Sequence, residues 1–285
     1  MSNPLPPSSL GTVKLACRTM FVEGLGTLVR AWVGYVVIMT VFTILAAALI
    51  GWERLQASTF WTDPVAVAAF CLQTLIGSIA GALGSTAWLR TVVEPGQSLR
   101  IQWKRTEWVF LGRLAHFAII LAIVLLVVSF IVTLVLAFGF GDILQSASAE
   151  QSLYGAVLLG LFGTAIVVGP TSLCASWYSL CLPAAASGAP SGLLNARDKI
   201  RGHAGRFFWA FVIAITVPTL AIALLESLLA GVAPQIVSHL AIWVLQFLAY
   251  VTCLTIAGLY FRELVASQSM ADGPETEVRA DTESS

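Results

Sequence analysis

Residues 98–138, SLRIQWKRTEWVFLGRLAHFAIILAIVLLVVSFIVTLVLAF, decide the fold. Up to Arg113 the stretch interleaves Arg100, Lys104, Arg105 and Arg113 with Ile101, Trp103, Trp108, Val109 and Phe110. From Ala115 onward no Asp, Glu, Lys or Arg interrupts it. A helix over 115–138 rises ~1.5 Å per residue, enough to cross ~30 Å of hydrocarbon. The stretch therefore reads as a basic, aromatic approach along a membrane surface followed by a membrane span.

Five further apolar runs of spanning length lie at 31–51, 64–87, 153–176, 207–230 and 238–261. Six spans put both termini on one side, and the charges say which. Of 15 Lys and Arg residues, all but Arg54 fall on the side that carries the termini. Basic residues resist translocation, so that side is expected to be cytoplasmic. A mean hydropathy of +0.88 with 11% charged residues excludes an ordinary soluble domain, in which about a quarter of residues are charged. The start, MSNPLPPSSLG, lacks a charged lead into an apolar core, so the first span is expected to act as an uncleaved insertion signal.

The fold class is thus all-α: a polytopic integral membrane protein of six transmembrane helices, with amphipathic interfacial helices on the cytoplasmic face and both termini inside. Residues 1–11 read as a mobile segment, 12–264 as the membrane domain and 265–285 as a disordered acidic tail. Interfacial helices are expected at 12–29, 98–113 and 191–206, each ahead of an outgoing span. This spacing fits either a threefold repeat or any even-spanning protein that obeys charge bias. Gly169-Pro170 predicts a kink in a long helix running on to Pro183, and Pro218 predicts another. Trp32, Trp88, Trp103, Trp108 and Trp209 read as an inner aromatic belt, Trp52 and Trp61 as an outer one.

Three sets of residues stand out. Gly77, Gly81 and Gly84 form a small-residue face on the second span, where backbones can approach closely, either within the bundle or between protomers. Glu226 is the one Asp, Glu, Lys or Arg inside an expected span. It reads either as a headgroup-level carboxylate facing water or as a functional site. His239 sits at a similar level on the next helix and shares a face with Gln246, which makes these three a candidate polar site. The third set, Arg100, Lys104, Arg105, Arg197, Lys199, Arg201 and Arg206, lies beside spans and aromatic residues and is suited to anionic lipid headgroups. No metal-ligand spacing, nucleotide loop or nucleophile motif occurs, so no cofactor, metal site or catalytic residue is expected. The five cysteines read as small buried hydrophobes.

At 182–207 the chain resembles the six-helix family named for the membrane domain of glycerophosphoryl diester phosphodiesterase and related bacterial membrane proteins. In that family the fourth helix ends in Leu-Pro, passes a Gly and enters an Arg-rich segment of the type LxRGHxxR. Here the matching residues are Leu182-Pro183, Gly188, Arg197, Ile200-Arg201-Gly202-His203 and Arg206, and Leu259-Tyr260-Phe261-Arg262 resembles the last-helix exit. Ser187 stands where the family commonly has Glu, and the resemblance does not extend to the phosphodiesterase domain, so it implies a fold and carries over no enzymatic activity.

These readings lead to a noncatalytic component of a bacterial inner membrane: a scaffold, assembly factor or partner subunit. It is expected to engage anionic headgroups on the cytoplasmic face and another membrane protein or a second copy of itself, but not nucleic acid. The alternative is a small transporter with an outer-side polar site at Glu226. Transporters usually gather polar groups at the midplane on broken helices, and here only Gln73 and Gln246 come close.

Overall fold

A computed structural model describes residues 8–51, 64–95, 104–139, 166, 168–188, 202–229 and 235–271. Among them every regular element is helical. Helix α1 spans Ser9–Arg18, and its N-cap Ser8 accepts a hydrogen bond from the Gly11 N–H at 3.0 Å. One π-helical turn, Thr19–Glu23, leads through Gly24 into α2, Leu25–Ile50. Gly24 is required there, because a Cβ would lie 2.6 Å from the Thr19 carbonyl oxygen and 2.9 Å from the Trp88 ring. Gly51, at φ +90°, follows the end of α2 in a conformation that favours glycine.

Helix α3, Pro64–Val93, begins on a proline, whose missing N–H costs nothing in a first turn. Helix α4 runs over Arg105–Gly139. A helix over 168–178, α5, passes through the turn Ser179–Leu180 into the short α6, Cys181–Ala186. Helix α7 spans Ala204–Leu229 with Pro218 inside it, and α8 spans Gln235–Ala271.

Five of these helices are long and apolar enough to cross a membrane, over Leu25–Phe42, Pro64–Val93, Arg105–Val132, Ala204–Ile222 and Ile242–Val265. The fourth expected span, 153–176, lies largely outside the described residues.

Several local expectations change. The surface helix expected over 12–29 is instead α1, a π turn and the start of α2. It is also not simply laid on lipid, because Thr12, Ala16 and Met20 are buried against α7 and α8. Residues 105–113 form the first turns of α4 itself rather than a separate interfacial helix. The helix running toward Pro183 breaks at Ser179–Leu180. Proline has no N–H to give the Ser179 carbonyl, which is bonded instead by the Leu182 N–H at 3.0 Å. Helicity also continues to Ala271, past the tail boundary expected at 265.

The core lies at one end of the bundle, where α1, the end of α3, the start of α4, α6, the start of α7 and the end of α8 meet. The described Arg and Lys residues gather at this basic end. Helices α3 and α8 run parallel to each other, with Ser85 opposite Tyr250 and Trp88 opposite Thr255. Trp88 and Trp32 are interior residues, 1% and 4% exposed, which corrects their reading as belt residues. Trp108 and Trp209 do face outward.

Candidate functional site

The charged centre of the basic end is the pair Arg90–Glu107. Glu107 sits in the first turn of α4, where its Oε2 accepts from the Lys104 backbone N–H at 2.7 Å, one half of a capping box. Its other oxygen meets the Arg90 guanidinium at 2.6 Å. The Thr106 hydroxyl bonds both partners, accepting from Arg90 at 2.6 Å and donating to Glu107 at 2.9 Å. The Glu107 side chain is fully buried and that of Arg90 is 21% exposed. Removing one member of such a pair leaves an uncompensated charge, at a cost of ~3–5 kcal/mol.

Arg90 also donates through Nε to the Ala186 carbonyl at 2.9 Å, and Arg113 donates to the Cys181 carbonyl at 2.9 Å. Two arginines from α3 and α4 thus hold carbonyls at the two ends of α6. The chain leaves α6 through Gly188, whose φ of +77° suits glycine in a helix-ending turn. Burial pushes the Cys181 thiol up to about 11, against the opposing effect of Arg113, so it stays protonated and unreactive.

Arg206 forms a second junction. Its Nε donates to the Tyr260 hydroxyl at 2.8 Å, its guanidinium lies 5.1 Å from that ring, and Glu263 is 3.4 Å away. The Ser9 hydroxyl donates to the Arg206 carbonyl at 3.0 Å, which fastens α1 to α7. Arg262 reaches the Val92 carbonyl at 3.3 Å. Two parts of the resemblance segment, Arg206 and Leu259–Arg262, therefore meet in space. The basic residues expected at lipid headgroups divide accordingly. Lys104 and Arg105 are exposed, Arg206 is engaged inside the protein, and Arg100, Arg197, Lys199 and Arg201 lie outside the described residues.

The glycine face of α3 lies against α2. A Cβ at Gly84 would stand 3.0 Å from the Ala31 carbonyl oxygen and 3.1 Å from Trp32; at Gly77 it would stand 2.9 Å from the Met39 sulfur. At Gly81 the nearest neighbour is the Tyr35 ring at 3.7 Å, an ordinary contact. On the other side of α3, the Ser85–Tyr250 and Trp88–Thr255 hydrogen bonds, both 2.9 Å, join it to α8.

Of the candidate polar residues, Glu226 lies toward the far end of α7 and His239 near the start of α8, but their side chains are outside the described set. Gln246 is described and exposed. Among the described residues no three His, Cys, Asp or Glu side chains converge to hold a metal ion.

The residues sequence reasoning missed are Glu107, Thr106 and Tyr260. One usable signal was Glu107 itself, three residues after Lys104 at a helix start, the spacing of a capping box. Comparison with known families, with curated proteins and with solved structures finds no match.

Proposed function

We propose that the chain is a noncatalytic, six-span component of a bacterial inner membrane with both termini in the cytoplasm. In this reading it serves another membrane protein as a scaffold, assembly factor or partner subunit. The observation that carries the proposal is the contrast along α4. Its base is fixed by Glu107 and Arg113, whereas Ile119, Ile123, Leu126 and Phe130 remain exposed on successive turns. A span anchored at one end, with these side chains exposed from Ile119 to Phe130, offers a partner helix an apolar surface. The basic end supports the cytoplasmic assignment through charge bias, and exposed Lys104 and Arg105 suit anionic headgroups.

The test is photo-crosslinking from Ile123 and Phe130 in native membranes. A discrete adduct with one membrane protein is expected, and adducts with lipid alone would overturn the reading. Orientation is tested separately, with reporters fused after Ser285 and at Ser146. The first should report from the cytoplasm and the second from outside.

The transporter reading draws on Pro218 inside α7 and on Glu226 two turns beyond it. Glu226→Gln keeps the shape of the side chain and removes its charge. Full complementation of a deletion phenotype by this variant favours the partner-subunit reading, and loss of complementation with normal accumulation favours transport.

A further inference from the structure

The first apolar run of the sequence starts after Arg30, but the helix that carries it starts before. Helix α2 opens at Leu25, and the stretch of it fit to cross a membrane, Leu25–Phe42, contains Arg30 as its one charged residue. Arg30 faces away from the protein. At ~3.6 residues per turn it lies opposite Leu28, Trp32 and Met39, the residues that α2 buries. Its own side of the helix, with Gly26, Val33, Gly34 and Val37, is exposed. Among the described residues no hydrogen bond or ion pair engages its guanidinium. Arg90 and Arg113, which also fall within spanning helices, are both held by protein acceptors.

The depth of Arg30 follows from its neighbours. A Cβ at Gly84 would stand 3.0 Å from the Ala31 carbonyl oxygen, so Arg30 is level with that part of α3. Trp108, an outward-facing residue of the membrane interface, adjoins Glu107, which Arg90 holds. From Arg90 to Gly84 the rise along α3 is ~9 Å, which sets the Arg30 backbone that much deeper than the tryptophan. A lipid-facing guanidinium is costly there unless it reaches an anion. Helical side chains lean toward the N-terminus of their helix, here toward the basic end, and cover the turn before their own Cα. For Arg30 that turn carries Gly26, where a Cβ would meet nothing within 4 Å. The arginine has room to lie along α2 and carry its charge about one turn, ~6 Å, back toward the surface. It then meets the headgroup layer from below. The strongest acceptors there are lipid phosphates, which a planar guanidinium grips with two parallel hydrogen bonds.

We propose that the outer face of α2 holds one phospholipid by its phosphate. Arg30, lying over Gly26, binds the phosphate, and an acyl chain follows the exposed ridge of Val33, Val37 and Val41. The site rests neither on the partner-subunit reading nor on the direction in which the basic end faces.

The test is native mass spectrometry of the full chain in detergent with two probes, a phosphatidylglycerol and the diacylglycerol with the same acyl chains, which lacks the phosphate. The wild type should retain the phosphatidylglycerol, and Arg30→Ala should retain it about tenfold less, the equivalent of one hydrogen bond to a charged group. Both should hold the diacylglycerol equally weakly. Gly26→Leu keeps the charge but fills the turn on which the arginine lies, so it should lower retention too. Arg105→Ala, at an exposed basic residue outside the site, should lower it less than Arg30→Ala does. Undiminished retention in Arg30→Ala or in Gly26→Leu overturns the proposal, as does an equal loss in Arg105→Ala, which would mean that only the number of charges matters. Should Arg30→Ala fail to accumulate, Gly26→Leu decides alone. A photo-crosslinker at Val33 in native membranes should capture lipid. A protein adduct that disappears in Arg30→Ala would put a partner's carboxylate at Arg30 and overturn the proposal as well.

Discussion

The two halves of α3 differ in how much of their surface is buried. Residues 84–89, toward the basic end, are all buried, whereas 71–75, toward the far end, are exposed or half-buried. The same change occurs on α8, where 254–261 are buried and none of 242–250 is. On α7, Phe207, Ala210, Phe211 and Ala214 are buried, and none of the described side chains in 215–225 is.

Hydrophobicity does not explain the difference, since both halves are apolar. Between helices in lipid there is no hydrophobic drive to associate, so packing depends on close backbone approach and on interhelical hydrogen bonds, each worth ~0.6 kcal/mol on average. Those features are concentrated in one half. Gly84, Ser85, Trp88, Arg90 and Glu107 all act within a few turns of the basic end; beyond them α2 and α3 still meet at Gly77 and Met39, but burial along α3, α7 and α8 falls away.

The largest effect should come from the buried ion pair. Arg90→Ala or Glu107→Ala should lower unfolding free energy by ~3–5 kcal/mol in a denaturing-detergent titration, enough to abolish accumulation of the folded protein. Wild-type stability in either variant would mean that the closed half is not held by its charges.

Next comes the glycine face, where the neighbours at each position set an order. Gly84→Leu should cost ~1–3 kcal/mol through overpacking, since it meets the Ala31 backbone and a wedged Trp32. Gly81→Ala, facing Tyr35 at 3.7 Å, should be close to neutral. A larger loss at Gly81 than at Gly84 would sink this account of how α2 meets α3. Tyr260→Phe should be milder than Gly84→Leu, about 1 kcal/mol for the lost hydrogen bond from Arg206. In the open half, Phe130→Ala should change stability by less than about 0.5 kcal/mol, as a surface substitution does, because its ring is 63% exposed.

Much of this architecture could be read from composition and spacing. Spans appear as long runs without charge, and a small-residue face is visible as Gly77, Gly81 and Gly84 at helical intervals. The partners of the charges were not legible. Arg90 and Glu107 lie on different helices, and counting charges by side treats Arg90 as one more positive residue and passes over Glu107. Arg206 and Tyr260 are 54 positions apart, so only the fold shows that an arginine suited to headgroups is held inside the protein. Trp32 and Trp88 misled for a related reason. Their depth along the helix is that of a belt residue, but the face they occupy points inward, and spacing from the span end does not report the face.

The division of the molecule into a closed and an open half is tested most directly by oxygen accessibility of nitroxide labels placed singly along α3, from Val65 to Leu89, in lipid nanodiscs. Accessibility should be high at consecutive positions from 71 to 75, whatever face they occupy, and should fall to a uniform minimum over 84–89. A rise and fall every 3.6 residues along the whole helix, with the same amplitude at both ends, would show a bundle packed evenly through the membrane and would contradict the account.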